Sequence, residues 1–182
     1  EVIGIAKDED LKVRAYLSTV FGCPFEGEVN ISQVVDLGTQ LLDMGADVLA
    51  LGDTTGMGNP ILVERVITAF KQAGVGVEQL ALHMHDTRGT ALANVLAGYQ
   101  QGIRTFDGST GGVGGCPYAP GAAGNVATED LVYMMESMGA TTGVDLDSAA
   151  QTGAFLSTLL QKTLPGRYYR YHKGQIQKQK SA

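Results

Sequence analysis

The sequence predicts an α/β protein of the (β/α)8 TIM-barrel class, with four β/α units, about the second half of a barrel, followed by a further helix. Three observations predict it. A short apolar or β-branched run, a polar cluster rich in Gly, Asp, Thr and Ser, and a longer stretch with helical spacing recur four times in that order. Two of the junctions repeat nearly letter for letter, Asp53-Thr-Thr-Gly56 and Asp86-Thr-Arg-Gly89, with a looser third at Asp107-Gly-Ser-Thr-Gly111. Polar residues gather where each run ends, at the carboxyl ends of strands, where β/α enzymes keep their sites. Strands separated by helices imply a parallel sheet with right-handed crossovers. A closed barrel needs eight units and typically ~250 residues, whereas this chain has 182.

The first run covers residues 12–21, and after a Gly-Cys-Pro turn a helix is expected over 31–44, with Val34, Val35, Leu37, Leu41 and Leu42 apolar and Ser32 as its cap. The second run, 47–51, leads through Asp53 to a helix over 60–73, opened by proline and stopped at Gly74. The third, 79–85, carries Leu82-His83-Met84-His85 and passes into an alanine-rich helix over 90–101 that Gly102 ends. The fourth, 103–108, opens into a glycine-rich loop before a helix over 126–138. A further helical stretch covers 146–164. The basic, tyrosine-rich tail, 165–182, has no clear period and is expected to be loosely ordered.

A net charge of −6 gives no general attraction to nucleic acid or anionic membranes. The apolar runs fall well short of the ~20 residues that span a bilayer, so the expectation is a protein without membrane or nucleic-acid partners. Two cysteines, Cys23 and Cys116, do not form the framework of a small secreted domain and favour a reducing, cytoplasmic setting.

The chemistry is concentrated at His83 and His85. Strand side chains alternate, so the two imidazoles share a face and fall within reach of one ion. The competing reading is a pair of structural histidines. Against it, the only other histidine is His172 in the tail, and the pair stands at a strand end. Imidazole mixed with oxygen ligands shifts the preference toward Mn or Mg. Asp53 either closes a strand-to-helix turn or organises the site, while Asp86 reads as a turn residue. Cys116, inside the glycine-rich loop, is placed to donate a proton once the loop closes, or else fills a turn. Asn125 and Glu129 fall on one helical face, Asn125 as a helix cap or a ligand.

Phe21-Gly-Cys-Pro-Phe-Glu-Gly27, Leu51-Gly-Asp-Thr-Thr-Gly56, His83-Met-His-Asp-Thr87 and above all Gly114-Gly-Cys-Pro-Tyr-Ala-Pro-Gly-Ala-Ala-Gly-Asn-Val-Ala-Thr-Glu-Asp-Leu131 closely resemble the 3-hydroxy-3-methylglutaryl-CoA lyase family of DRE-TIM metallolyases. The resemblance runs from Glu1 to about Leu164 and implies a partial catalytic barrel over 1–164. It implies cleavage of 3-hydroxy-3-methylglutaryl-CoA to acetyl-CoA and acetoacetate, as in leucine degradation and ketone-body formation. It also implies Mg²⁺ or Mn²⁺ on His83, His85 and Asn125, Cys116 as the loop acid, and Asp53 and Glu129 as supporting residues, with a base near His83 or Asp53. An acyl-CoA substrate and a homo-oligomer, a dimer, follow, in the cytoplasm or, behind a targeting segment, in the mitochondrial matrix. The family's first-strand Arg-Asp pair has no match here, so the expectation is a truncated chain with weak metal affinity and negligible turnover by itself. Two alternatives stand: a condensing enzyme of the isopropylmalate or homocitrate synthase kind, against which the Gly-Gly-Cys-Pro-Tyr loop speaks, and a non-catalytic half-barrel that self-associates through open strand edges.

Overall fold

The structure is a computed structural model that describes residues 1–115 and 124–180. It divides into two compact units, residues 1–107 and 108–182.

The first unit opens with α1 (Val2–Asp8), which buries none of its residues and has no counterpart in the sequence expectations. Then β1 (Arg14–Leu17), β2 (Val48–Asp53), β3 (Leu80–Met84) and β4 (Thr105–Asp107) form a parallel sheet in the order β1-β2-β3-β4. Between them run α2 (Ile31–Asp43), α3 (Pro60–Gln72) and α4 (Ala91–Gln100). This is the expected α/β order with a parallel sheet. β1 is shorter than its apolar run because Thr19 takes a left-handed φ of 58° and turns the chain, with Val20 N–H donating to Gly52 O at 3.0 Å. The cap of α2 is Asn30, not Ser32: the Asn30 side chain accepts from Ser32 N at 2.9 Å.

The register sorts the side chains. Gly52 pairs with His83, and His83 with Asp107, while Leu51 pairs with Leu82 and Leu82 with Phe106. One face therefore carries Arg14, Tyr16, His83 and Asp107, and the other Leu49, Leu51, Leu80, Leu82 and Met84. The second set lies within 1% of full burial, with Val63, Val66, Ile67 and Phe70 of α3 equally buried. Gly38 lets α2 come close, since a Cβ there would fall 2.6 Å from Phe70 Cε1 and 3.0 Å from Leu49 Cδ1.

The first face is concave. Flat parallel strands at ~4.8 Å spacing would hold β1 and β4 about 14 Å apart, yet Arg14 and Tyr16 on β1 both reach Asp107 on β4, at 2.8 and 3.2 Å. Such curling is what a barrel wall requires.

The second unit holds a 3-10 turn (Thr110–Gly112), α5 (Thr128–Ser137), α6 (Leu146–Leu159) and α7 (Tyr168–Lys180). α5 starts two residues later than expected because Ser109 N–H donates to Val126 O and Thr128 N–H to Ser109 O, which keeps Val126 and Ala127 extended. α6 ends early at a left-handed Gln161, φ 49°. The tail expected to be loosely ordered is helical over Tyr168–Lys180. The Asp130 carboxylate accepts from Arg167 and Tyr168 N–H at 2.6–3.0 Å, tying down the chain where α7 begins. Tyr169 is buried against Ala150 and Leu164, its hydroxyl accepting from Leu164 N–H at 2.9 Å. Neither tie leaves a periodic trace in a polar tail.

Candidate functional site

Strand alternation places His83 on the concave face near the carboxyl end of β3, and His85 follows one residue beyond the strand. Their Nε2 atoms are 3.2 Å apart. On the other side of the ring, His83 Nδ1 lies 3.1 Å from Asp107 Oδ2, and Asp107 Oδ1 accepts from the Arg14 guanidinium at 2.8 Å. Tyr16 O–H donates to the same Asp107 Oδ2 at 3.2 Å, while its ring sits edge-on to His83 and under the Arg14 guanidinium. A carboxylate only accepts, so the His83 ring carries its hydrogen on Nδ1 and turns Nε2 toward His85.

The electrostatics fit a neutral His85 and an ionised Asp107 carboxylate. Burial, and then the neighbouring His83, hold His85 below its ordinary 6.5. Burial alone would raise Asp107, but the hydrogen bonds from His83 and Arg14 outweigh it and hold the carboxyl below its ordinary value.

A cation fits this pair. Ligand nitrogens at ~2.1 Å from one ion stand about as far apart as these two do. Among the described residues, no group of three or more His, Cys, Asp or Glu side chains gathers to hold an ion. In the second unit, Asn125 Nδ2 donates to Val113 O at 2.9 Å, and its Oδ1 is buried without a hydrogen-bond partner among the described residues. Asn125 does not cap α5, whose preceding residue is Ala127.

The two predicted supporting carboxylates each accept hydrogen bonds from backbone amides. Asp53 pairs in register with Met84, so its side chain leaves the sheet on the face opposite His83. There, fully buried, it accepts from Met57 N–H at 2.8 Å and from Gly58 N–H at 3.1 Å. Burial raises its pKa and those amides partly offset the rise. Of the two readings left open by the sequence, the turn describes this geometry. Asp86 is a turn residue as expected, accepting from Ala91 N–H at 3.0 Å. Glu129, also fully buried, takes Gly111 N–H on both carboxylate oxygens at 2.8 and 3.0 Å and so braces the glycine turn, where Gly111 has a φ of 62°. Cys116 lies outside the described residues. Cys23 sits in a two-way backbone pair with Gly27 as a free thiol.

Arg14, Tyr16 and Asp107 are the residues that sequence reasoning passed over. Their signal is period-2 alternation in β1 and β4, which carries meaning only once the register aligns both strands with His83.

Glu129 gives a pH prediction. Burial raises its pKa above the ordinary 4.5, so the folded state binds the proton more tightly than the unfolded one, and wild-type stability falls as pH rises through the raised value. In Glu129→Gln that loss is absent. Chemical denaturation should show the variant gaining on wild type from about pH 4.5 upward; a constant difference across pH would contradict this.

Among the described residues no helix is long and apolar enough to cross a membrane. Residues 1–156 match the family model described as HMGL-like. The chain is 51% identical to the hydroxymethylglutaryl-CoA lyase YngG of Bacillus subtilis over 162 residues, 89% of this chain and 54% of that protein. It superimposes on a Pseudomonas aeruginosa hydroxymethylglutaryl-CoA lyase with a TM-score of 0.92 at 40% identity, covering 96% of this chain and 58% of the other. An HMG-CoA lyase from Acinetobacter baumannii, solved with coenzyme A and 3-methylmalate, gives 0.86 at 41% identity over 93% of this chain and 55% of its own. The chain spans about half the length of the curated relatives it matches, as a partial barrel against those structures. With a converging imidazole pair on the concave face of a parallel sheet, and a family model covering most of its length, the chain belongs to the HMGL-like family.

Proposed function

We propose that this chain supplies the metal-binding part of a hydroxymethylglutaryl-CoA lyase that cleaves 3-hydroxy-3-methylglutaryl-CoA to acetyl-CoA and acetoacetate. The observation that carries this is the convergence of His83 and His85 Nε2 at 3.2 Å, with His83 anchored from behind by Asp107. His83, His85 and the amide oxygen of Asn125 would hold a divalent cation, Mg²⁺ or Mn²⁺. When bound, that ion acidifies the tertiary hydroxyl of the substrate.

The rest is the work of the chain's own groups. The hydroxyl proton leaves to a base at the His83 end of the sheet, the carbon–carbon bond breaks to give the acetoacetate ketone, and the acetyl-CoA enolate takes a proton from the Cys116 thiol. The glycine-rich loop that carries Cys116 excludes water from the enolate. Asp53 and Glu129 serve at one remove. Asp53 fixes the turn beyond β2, and Glu129 fixes the turn that leads into the glycine-rich loop, so neither needs to touch substrate.

The test is a chimera in which this chain replaces the matching 162 residues of the B. subtilis relative. It is expected to cleave 3-hydroxy-3-methylglutaryl-CoA and to be inactive with acetyl-CoA plus 2-oxo acids. Turnover only in the second assay would move the assignment to the condensing enzymes. For the chain by itself, the outer edges of β1 and β4 have no strand partner among the described residues, which favours self-association; a monomer in sedimentation would remove that reading.

A further inference from the structure

We propose that Asp107 is a positioning residue that sets the tautomers of both imidazoles, with Arg14 holding its carboxylate so that His83 presents a bare Nε2. This deepens the reading of His83 and His85 as a cation site and rests on it. For two neutral imidazoles the geometry allows one proton pattern. Asp107 Oδ2 can only accept, so His83 Nδ1, at 3.1 Å, carries the hydrogen and His83 Nε2 carries a lone pair. The 3.2 Å contact between the two Nε2 atoms then requires the hydrogen on His85 Nε2. That leaves His85 Nδ1 bare, and it is a buried nitrogen with no hydrogen-bond partner among the described residues. His83 is thus held as a ligand from the outset, while His85 becomes one by moving a single proton from Nε2 to Nδ1. No proton is lost from the pair when both lone pairs are taken up.

Arg14 decides which way an amide at 107 would face. The guanidinium is donor-only and binds Asp107 Oδ1 at 2.8 Å. In an Asp107→Asn variant the amide oxygen stays with Arg14, and its NH₂ faces His83. That donor demands a bare Nδ1, so the His83 hydrogen moves to Nε2 and the nitrogen needed for the cation is blocked. Removing the guanidinium as well, in Arg14→Met/Asp107→Asn, lets the amide turn its oxygen to His83 and Tyr16 and restores the original pattern.

The chain has three histidines, so side-chain ¹H–¹⁵N spectra of the ¹⁵N-labelled protein can be assigned with single variants. At about pH 8, above the ordinary imidazole pKa of ~6.5, and without metal, wild type is expected to show His83 as Nδ1–H and His85 as Nε2–H. Asp107→Asn is expected to show His83 as Nε2–H and to bind Mn²⁺ about 10–100-fold more weakly, the loss typical of groups that orient a ligand. The double variant is expected to recover both. A wild-type His83 in the Nε2–H form, or one that stays Nδ1–H in Asp107→Asn, overturns the proposal. Tautomers that switch as described while Mn²⁺ affinity stays constant would support Asp107 as the positioning group and overturn the cation reading of the pair.

Discussion

Alanine at His83 or at His85 is expected to weaken Mn²⁺ binding by more than about 100-fold, beyond the 10–100-fold typical of groups that only orient a ligand. In the chimera, turnover should fall with it. The expectation comes from donor count. Among the described residues no group of three or more His, Cys, Asp or Glu gathers to hold an ion, so each imidazole is a large share of the donors. Titration of the chain with Mn²⁺, followed by loss of the free-ion electron paramagnetic resonance signal, reads the affinity directly. Circular dichroism separates lost binding from lost folding, most clearly for His83, whose side chain is about one-third exposed (31%) on the concave face. Unchanged affinity in a folded His83→Ala protein would mean that the convergence of the rings is a packing feature.

Phe70→Ala is expected to lower stability by about 3–5 kcal/mol, the usual range for emptying a buried phenylalanine site. Phe70 is fully buried on α3, and it lies where a Cβ on Gly38 of α2 would strike it, with Leu49 Cδ1 of β2 3.0 Å from the same spot. One aromatic ring thus joins two helices and a strand. The coupling gives a sharper readout than the single loss. Gly38→Ala destabilises wild type by overpacking, about 1–3 kcal/mol, because its Cβ would meet Phe70 Cε1 at 2.6 Å. In the Phe70→Ala background the same methyl enters the space left behind and should be neutral or stabilising. Urea unfolding of the two single variants and the double variant closes the cycle; simple additivity would show that the helices do not meet through this residue.

Both experiments concern features with different visibility in the sequence. The order of elements was legible because burial imposes a period. Leu49 and Leu51, then Leu80, Leu82 and Met84, alternate along strands that helices cover, and Val63, Val66, Ile67 and Phe70 fall at helical spacing on the buried side of α3. Boundaries were less legible. A left-handed Thr19, a left-handed Gln161 and a bridge from Ser109 to Ala127 end or delay elements through backbone geometry, which side-chain pattern does not encode. The helical tail depends on Asp130, 37 residues before the N–H of Arg167 that it accepts.

The imidazole pair returns to the same distinction. That His83 and His85 share a face follows from the sequence, because alternation along one strand is a local property of the backbone. The glycine-rich loop, the Asp-Thr-x-Gly junctions and the α/β order are local in the same sense. Only the tertiary structure decided that Asp107 and Arg14, rather than Asp53, stand behind His83. Asp53 was a candidate because it ends a strand as Asp86 does, yet pairing beside Met84 sends it to the opposite face. The physical reason is that the hydrogen bond behind His83 comes from another strand. Which carboxylate supplies it depends on the register between strands and on a curvature that brings side chains of β1 within a hydrogen bond of Asp107 on β4. Both involve residues far apart in the chain: Arg14 and Asp107 are 93 residues apart.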